Sequence, residues 1–244
     1  MSKVSVIIPA RWGSTRFPGK PLHLIAGKSL LQHVWERASK ARGIDDAVVA
    51  TDDMRIAEAA FAFGAEVALT SPKHRSGTDR IAEVAAKLRG VTHVINVQGD
   101  EPLIDPKLIT RLARTLTADK KIEMITAANE FDADADISNP NAVKVILDRD
   151  HNALYFSRSP IPFVRDGSAA VPFYRHQGIY GYSRQFLLRF VKWKPSALER
   201  TEQLEQLRAL ENGARIRVVL TKHASIGVDS PEDVGTVEKL LATR

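Results

Sequence analysis

The residues nearest the N-terminus combine a short apolar run with a cationic loop. Residues 4–8 are rich in β-branched side chains, which predicts a buried strand. Pro9 ends this strand, and the next dozen residues carry Arg11, Arg16 and Lys20 together with two glycines. Glycines allow backbone N–H groups to approach phosphate oxygens, and cations offset the charge of a triphosphate. The pattern indicates a nucleotide-phosphate site, although a solvated basic loop would have the same composition. The loop matches neither the dinucleotide fingerprint nor the Walker A pattern.

Two aspartates far apart in the chain stand where local structure does not fully account for them. Asp100 and a neighbouring glycine follow residues 92–97, which read as a central strand. Enzymes with parallel sheets often place a Mg²⁺ ligand there, although an isolated Asp in a loop is more often a turn residue. Near the C-terminus, Ser230 as cap with Pro231 after it predicts the start of the last helix. Asp229 lies just outside that cap and is not explained by it.

A third candidate segment precedes a helix predicted over residues 81–88. Thr78 is a plausible N-cap, so the segment over residues 73–80 could be no more than a helix start. The same geometry allows the N-terminal amides of the helix, together with Arg80, to hold an anion or the edge of a base.

Strands and helices alternate through the first half of the chain. Ser29 and Gln32 predict a capping box at the first helix, and Asp52-Asp53 can cap a second helix that runs to about Phe63. This alternation predicts an α/β fold with a mostly parallel sheet. From residue 123 the pattern changes, which indicates a smaller antiparallel part. The remaining predicted elements are strands over 46–51, 66–69, 124–128, 143–147, 153–157 and 216–220 and a helix over 198–212.

Composition bounds the class of protein. The chain has 244 residues, of which 44% are hydrophobic and 26% charged, as in a globular protein with one large domain. It has no cysteine, which excludes disulfides, a thiol nucleophile and a thiolate metal site. No apolar run approaches the length of a membrane span and no signal peptide is visible, so we expect a cytoplasmic protein without membrane insertion.

The basic balance of the chain admits two kinds of partner. A net charge of +6 and a pI near 9.6 suit either an anionic small substrate or a polyanion such as nucleic acid. The best nucleic-acid patch is R-F-V-K-W-K at residues 189–194, but it is more typical of a solvated helix end whose aromatic side chains face the core. We therefore expect no nucleic-acid partner, and a basic nucleic-acid-binding module is the remote alternative function.

Taken together, these motifs resemble those of the sugar-acid cytidylyltransferases. The first loop reads I-P-A-R-x-x-S-T-R-x-P-G-K-P, and S-G-T-D-R, Q-G-D-E-P, H-Q-G-I-Y-G-Y, L-E-Q-L-R and G-V-D-S-P follow in the family's order. The resemblance spans nearly the whole chain and is strongest to members that act on 3-deoxy-manno-octulosonate (Kdo). It implies a Rossmann-like nucleotide-diphospho-sugar transferase fold. It also implies Mg²⁺-dependent transfer of CMP from CTP to the anomeric hydroxyl of Kdo, with release of pyrophosphate, for lipopolysaccharide biosynthesis. The nearest alternative acceptor is 8-amino-Kdo or another acid sugar.

The resemblance also implies roles for individual residues. The expected catalytic residues are Lys20, Arg11, Asp100 and Asp229, and the two aspartates are the expected Mg²⁺ ligands. A second Mg²⁺, held mostly by phosphate oxygens, is expected as well. Arg158 is assigned to the Kdo carboxylate, because a guanidinium binds a carboxylate in a planar, bidentate way. The expected nucleotide-binding residues are Pro9, Ala10, Arg11, Arg16, Lys20, Ser76, Gly77, Thr78, Arg80, Gln98 and Asp100. The expected sugar-binding residues are Gln98, Arg158, His176, Tyr180, Glu205 and Gln206.

We expect one domain over residues 1–244. Its parts would be a nucleotide-binding half over 1–120, a projecting arm and sugar pocket over 121–190, and a C-terminal part over 191–244 that completes the sheet. The proline-bearing segment R-S-P-I-P-F-V-R at residues 158–165 predicts the arm. Arms of this kind commonly build dimers, and the resembling family is homodimeric, so a homodimer is expected.

Overall fold

The computed structural model describes residues 2–13, 17–132, 134–165, 172–222, 224 and 226–242. Within these ranges the strands are β1 (Val4–Ala10), β2 (Leu24–Ile25), β3 (Lys28–Ser29), β4 (Asp46–Thr51), β5 (Glu66–Leu69), β6 (His93–Asn96), β7 (Met124–Glu130), β8 (Lys144–Leu147), β9 (Ala153–Ser157), β10 (Tyr174–Ser183) and β11 (Ile216–Thr221). The helices are α1 (Leu30–Ala38), α2 (Met54–Ala62), α3 (Gly77–Lys87), α4 (Pro106–Ala118), α5 (Arg184–Phe190), α6 (Ala197–Glu202), α7 (Leu207–Glu211) and α8 (Glu232–Ala242).

Among the described residues, nine strands form one mixed sheet in the order β11-β7-β10-β6-β1-β4-β5, with β8 and β9 attached beside β10. Strand β1 pairs in parallel with β4 and β6, and β4 pairs in parallel with β5. Strand β10 is antiparallel to both β6 and β7. The carboxyl ends of β1, β4 and β6 therefore meet at one edge of the sheet, where open α/β sheets bind their ligands.

Alternating side chains of β1 explain how the sheet is covered on both faces. Val6 and Ile8 belong to an apolar cluster with α1, α2 and α4, whereas Ile7 belongs to a second cluster with α3 and α5. All three side chains are fully buried. A strand buried on both faces reads as a continuous apolar run, as residues 4–8 do.

A third, smaller apolar cluster holds the C-terminal segment against the first loop. It joins Phe17 of that loop, Leu103 after β6, and Val228 and Val237 at α8. The packing brings the residues before α8 to the carboxyl ends of β1 and β6, so Asp229 approaches residues more than a hundred positions earlier in the chain.

Several sequence predictions are confirmed. Strands β4 and β5 have the predicted bounds, α2 is capped by Asp53, and the sheet is mostly parallel with an antiparallel part at β8, β9 and β10. No helix among the described residues has the length and apolar character that a membrane crossing requires. The division into residues 1–120, 121–190 and 191–244 stays a prediction.

Three helix predictions were wrong in detail. Ser76 caps α3 by accepting from the N–H of Asp79 at 3.1 Å, so the cap is not Thr78 and the helix begins at Gly77. The helix predicted over 198–212 is two short helices, because Gln203 between them has φ 52°. Helix α8 begins one residue later than predicted.

The predicted capping box at α1 forms only in part. Ser29 Oγ accepts from the N–H of Gln32 at 3.2 Å, but the Gln32 side chain donates to Glu36 at 3.0 Å instead of returning to Ser29. The predicted start of α1 is therefore confirmed, whereas the predicted bond from the Gln32 side chain back to Ser29 was wrong.

Candidate active site

A cavity of about 260 Å³ lies at the carboxyl ends of β1 and β6. It is lined by the loop after β1, the N-terminus of α3, the loop after β6 and the segment before α8. The lining residues are Pro9, Ala10, Arg11, Lys20, Pro21, His74, Arg75, Ser76, Gly77, Arg80, Gln98, Gly99, Asp100 and Asp229. Eleven of the residues predicted to bind nucleotide or metal or to act in catalysis are among the described residues, and ten of these eleven line this cavity. The other one, Thr78, lines an adjoining cavity, and Arg16 lies outside the described residues.

Two glycines allow these loops to meet. A Cβ on Gly99 would lie 2.8 Å from the carbonyl oxygen of Pro9, and one on Gly77 would lie 3.4 Å from Pro9 Cγ. The first of these distances is shorter than any side chain can tolerate against backbone. The loop after β6 can therefore contact the end of β1 only because residue 99 is glycine.

Lys20 connects the two predicted metal-binding aspartates. Its Nζ donates to Asp100 Oδ2 at 2.8 Å and to the carbonyl oxygen of Val228 at 2.8 Å, and it lies 3.9 Å from Asp229 Oδ1. The N–H of Val228 donates in turn to the carbonyl oxygen of Asp100 at 2.8 Å. The backbone thus fixes the segment before α8 against the loop after β6, and both carboxylates face one point.

This pair of carboxylates fits a divalent cation. Mg²⁺ is commonly held by one or two carboxylates, with water and substrate phosphate oxygens as its other ligands. The side chains of Asp100 and Asp229 are 34% and 63% exposed, so a ligand can reach both. The ammonium between them shows that this position favours positive charge. Because the described residues contain no group of three or more metal-ligating side chains, an ion here would need substrate or water oxygens to complete its shell.

Trp12 and Arg55 hold the cationic loop against the corner between β4 and α2. The guanidinium carbon of Arg55 lies 3.5 Å from the centre of the Trp12 ring, and its nitrogens donate to Asp53 at 2.6 and 2.9 Å. At the other end of the loop, the N–H of Gly19 donates to the carbonyl oxygen of Trp12 at 3.3 Å. Gly19 has φ 72°, and a Cβ there would lie 3.0 Å from the Trp12 ring. The backbone of Trp12 thus bonds Gly19, and its indole packs on Arg55 with little room left beside Gly19.

The N-terminus of α3 supplies backbone donors and one buried cation to the cavity. Ser76 and Gly77 open the helix, where free amides favour an anion. Arg80 is only 4% exposed, and its guanidinium pairs with Asp52 at 2.9 Å and bonds the hydroxyl of Thr70. The charge of Arg80 is therefore already balanced, which makes it suited to hydrogen bonding and less suited to neutralising phosphate.

A second cavity, of about 600 Å³, adjoins the first and shares Arg75, Ser76, Gly77 and Gln98 with it. Its other lining residues are Thr78, Asp79, Val191, Trp193, Pro195, Glu199, Arg200, Gln203, Glu205 and Arg208. Two of the predicted sugar-binding residues, Gln98 and Glu205, therefore line one continuous space with the predicted nucleotide site.

Glu205 is the acidic residue with the clearest perturbation in this second cavity. Burial raises its pKa, while the hydrogen bond from the Thr78 hydroxyl and the charge of Arg208 oppose that rise. Arg208 donates to Glu205 at 3.3 Å and to Glu199 at 2.6 and 2.8 Å. Arg208 is only 7% exposed. Arg208 is buried because its acidic partners, Glu199 and Glu205, lie on both sides of the break at Gln203 and close over it.

His176 and Tyr180 lie on β10 behind the second cavity and line neither of the two cavities. His176 Nε2 lies 3.0 Å from Thr126 Oγ1, and its ring packs edge-on against Phe156. Burial lowers the pKa of His176 to about 3, so the imidazole is neutral. Burial and the nearby charge of Glu205 raise the pKa of Tyr180. The charge of Glu205, which lines the second cavity, therefore also acts on Tyr180 of β10.

Gln206 and Arg158 have different environments from the other predicted sugar-binding residues. Gln206 is 4% exposed, and its Nε2 has no hydrogen-bond partner among the described residues. Arg158 donates to the carbonyl oxygens of Glu202, Pro140 and Gln203 at 2.7, 2.9 and 3.3 Å, and it lines neither cavity. The assignment of Arg158 to a sugar carboxylate stays a prediction, and that contact would have to share donors with these carbonyls.

The aromatic side chains of residues 189–194 pack into the protein. Phe190 is fully buried, the ring of Trp193 packs edge-on against Phe186 and Phe190, and Arg189 pairs with Glu123 at 2.8 Å. The aromatic side chains therefore face the core, as the sequence predicted for a helix end.

Sequence reasoning missed several residues at the site. Arg208, Trp193, His74 and Arg75 line the cavities but were assigned no role, and the contact of Trp12 with Arg55 was not foreseen. The proximity of His74 and Arg75 to the S-G-T-D-R motif was the one available signal. Contacts between residues that are distant in the chain, such as Trp12 with Arg55, leave no signal in the sequence.

Comparison with known proteins agrees with this geometry. The profile of the cytidylyltransferase family matches residues 5–216. A 3-deoxy-manno-octulosonate cytidylyltransferase of Geobacter sulfurreducens is 51% identical, with 97% of this chain and 99% of that protein covered. One of Pseudomonas syringae pv. syringae is 52% identical, with 97% of each chain covered.

Solved structures give the same result. A CMP:2-keto-3-deoxy-manno-octonic acid synthetase complexed with CTP has a TM-score of 0.95 and 41% identity, with 99% of each chain covered. A cytidylyltransferase from Leptospira borgpetersenii has a TM-score of 0.68 at 19% identity and shares the fold. From its motifs, its fold and these relatives, the chain belongs to the cytidylyltransferase family, among the 3-deoxy-manno-octulosonate cytidylyltransferases.

Proposed function

We propose that this protein transfers CMP from CTP to the anomeric hydroxyl of Kdo, giving CMP-Kdo and pyrophosphate. The observation that carries the proposal is the position of Lys20 Nζ, between Asp100 and Asp229 at a cavity that continues into a second one. A nucleotide and an acceptor sugar can therefore bind side by side. The relatives named for this reaction are about half identical over nearly the full chain.

The first cavity suits the nucleotide. Arg11 and Lys20 supply cations, and the N-terminus of α3 supplies backbone donors on the facing wall. In-line attack by the sugar hydroxyl on the α-phosphorus releases pyrophosphate and needs positioning and charge neutralisation more than covalent help. Lys20 and Arg11 would stabilise the charge that develops on the leaving pyrophosphate.

Asp100 and Asp229 would hold Mg²⁺. The ion, when bound, supplies charge neutralisation at phosphate oxygens and makes the incoming hydroxyl more acidic. Lys20 would then move its ammonium from the aspartates toward the phosphates, because the metal ion and the ammonium compete for the same carboxylate oxygens. A second Mg²⁺, held mostly by phosphate oxygens, is part of the proposal.

The second cavity suits the sugar. Thr126 Oγ1 lies 2.7 and 3.2 Å from the carbonyl oxygens of Ile179 and Gln177, so its one hydrogen is directed to a carbonyl. Thr126 therefore accepts from His176 Nε2–H, and Nδ1 is left as an acceptor for a sugar hydroxyl. Gln206 Nε2 is a buried donor that a ligand could satisfy. Gln98 and Glu205 line this cavity, whereas His176 and Gln206 do not, so a contact of either with the sugar is part of the proposal. The lowered pKa of His176 is in keeping with a role in sugar binding and not in proton transfer.

The cellular setting is part of the same proposal. We propose a homodimer built through the arm after β9, where Phe163 is 88% exposed and Leu154 on β9 is 57% exposed. We also propose that the enzyme acts in the cytoplasm and that its activated sugar serves lipopolysaccharide biosynthesis.

The test is pyrophosphate release from CTP with a panel of purified acid sugars and MgCl₂. We expect the largest kcat/KM with Kdo. A preference for 8-amino-Kdo or a sialic acid would replace the acceptor but keep the reaction class. Activity with ATP or GTP in place of CTP would contradict the assigned nucleotide. Binding of single-stranded or duplex polymer with steep salt dependence, and without pyrophosphate release, would favour a nucleic-acid-binding module.

A further inference from the structure

A cavity of about 580 Å³ lies between α4 and the edge strand β11, next to the turn that joins β8 and β9. Three arginines line it, Arg111 and Arg114 from α4 and Arg217 from β11, together with His151 of the turn. It shares no lining residue with the two cavities of the proposed active site. Helix α4 follows β6 and returns along the sheet, so its C-terminal half lies away from the carboxyl edge where that site is built.

Two of these arginines are held in place by neutral acceptors. Arg111 Nη2 donates to the carbonyl oxygen of Leu220 at 2.7 Å, and Arg217 Nε donates to Asn152 Oδ1 at 3.0 Å. The N–H of Val218 donates to the carbonyl oxygen of His151 at 2.8 Å, which fixes the turn against the strand. Each guanidinium carries five N–H groups, so a single bond to a neutral acceptor orients the side chain and leaves other donors for a ligand.

The positive charge of the cavity is only partly balanced. Among the described residues, none of the three arginines forms a salt bridge, and the Arg114 side chain forms no hydrogen bond. The acidic residue in the lining is Asp150, at the exposed rim. The nearby Asp148 accepts from the backbone of Asp150 and from Asn152, and these bonds together with the charge of Arg217 lower its pKa. Asp148 therefore offsets part of the charge of Arg217, whereas Arg111 and Arg114 have no acidic partner among the described residues.

We propose that this arginine cavity binds a small phosphate anion of high charge, of the pyrophosphate type. Three guanidinium groups around one space match several phosphate oxygens at once, because guanidinium donors pair with phosphate in a bidentate way. A diphosphate is expected to bind more tightly than orthophosphate, since it can meet more than one guanidinium. The ligand class is the same as the product of the proposed reaction, but the site is separate from it.

The test is calorimetric titration of the full-length protein with sodium pyrophosphate. The titration is made without CTP, acid sugar or Mg²⁺, so that there is no turnover and no triphosphate competes for the arginine cavity, whose binding is identified as the component that Arg114→Gln weakens. We expect a saturable site for pyrophosphate, weaker binding of orthophosphate, and about tenfold weaker pyrophosphate binding in Arg114→Gln, because each charged hydrogen bond lost costs of that order. Arg114→Gln breaks no described contact, so circular dichroism and CMP transfer should match the wild type.

The matched control is Arg89→Gln, which removes an exposed arginine that lines none of the three cavities. It should bind pyrophosphate as the wild type does. Equal binding by Arg114→Gln, or no saturable site in the wild type, would overturn the proposal. Sedimentation with phosphatidylglycerol vesicles, in the absence of pyrophosphate binding, would also overturn it in favour of a lipid surface. None of these readouts depends on the acceptor sugar, so the outcome is separate from that of the proposed activity.

Discussion

Lys20 Nζ lies 2.8 Å from Asp100 Oδ2 and occupies the space between the two aspartates proposed to bind Mg²⁺. One ammonium thus pairs closely with Asp100 and more distantly with Asp229, and its single positive charge offsets only one of their two negative charges. The same side chain lines the cavity at the end of β1, where the triphosphate is proposed to bind. Lys20 therefore has two alternative partners, and the choice between them depends on Mg²⁺ and CTP.

Lys20→Met should separate these two functions. We expect kcat to fall about 10²–10³-fold, because a charge that stabilises the leaving pyrophosphate is lost. Without Mg²⁺, Tm should fall by about 2–4 °C for a loss of about 1 kcal/mol, since two carboxylates lose their partner. Added MgCl₂ should restore Tm more in the variant than in the wild type. A wild-type kcat would contradict the role of this lysine.

The two aspartates should be needed for turnover and not for folding. Asp100→Asn and Asp229→Asn should each lower kcat by about two orders of magnitude or more. Each should also raise the MgCl₂ concentration needed for half-maximal rate, because a ligand charge is lost. Asp105→Asn is the matched control, since Asn also caps α4 and the residue lines neither active-site cavity. Near-normal rates in either site variant would remove the metal assignment.

The central elements of the fold were predictable because their signals are local. The runs that form β1, β4 and β5 and the cap of α2 are read from a few adjacent residues. The break at Gln203 was missed, because both flanking segments favour helix and a single residue with positive φ separates them. The position of β10 between β6 and β7 could not be predicted either, since pairing between distant strands has no local signal.

The residues of the site also divide into those that the sequence pointed to and those that it did not. The resemblance of the motifs to a known family pointed to Lys20, Asp100 and Asp229, and the structure places them together. The partners that orient or neutralise site residues were not predictable. Asp52 pairs with Arg80 and Glu199 with Arg208 because β4, α3, α6 and α7 pack together, and this packing is set by the whole core.

His176 should make the protein less stable as the pH falls. Its folded pKa of about 3 lies below the ordinary value of 6.5, so the folded state binds fewer protons than the unfolded state. The stabilisation is complete above about pH 6.5 and is lost as the pH falls toward 3. In urea titrations at pH 7 and pH 5, the free energy of unfolding should fall by about 2 kcal/mol more in the wild type than in His176→Gln. Equal losses in the two proteins would show that His176 is not buried in neutral form.

Gly99→Ala should disrupt the junction of the loops that carry Asp100 and Pro9. The new Cβ would lie 2.8 Å from the Pro9 carbonyl oxygen, and backbone cannot move aside without shifting β1. We expect a loss of about 1–3 kcal/mol in unfolding free energy, as for other overpacked sites, together with a fall in kcat. The control is Gly235→Ala in α8, where no atom lies within 4 Å of the new Cβ. There we expect a gain of about 0.5–1 kcal/mol, since alanine favours helix.

Trp12 should act on nucleotide binding through the position of the cationic loop. Its ring lies against Arg55 and next to Gly19, close to Arg11 and Lys20 in the chain, and Trp12 does not itself line the cavity. In Trp12→Ala the loop loses its contact with the corner at α2, and Arg11 and Lys20 no longer share one arrangement. We expect the KM for CTP to rise about 5–10-fold, because a contact of this kind contributes about 1 kcal/mol or somewhat more.

Two variants test whether this effect depends on the stacking of Arg55 on the ring. Trp12→Phe keeps an aromatic face and should restore most of the affinity for CTP. Arg55→Leu removes the cation and the pairing with Asp53, and it should raise the KM for CTP less than Trp12→Ala does, because the contact with Gly19 remains. The KM for Kdo should stay near the wild-type value in all three variants, since none of the described residues of the loop lines the second cavity. If KM values for both substrates rise together and Tm falls sharply, Trp12 serves general stability, and the positioning role is wrong.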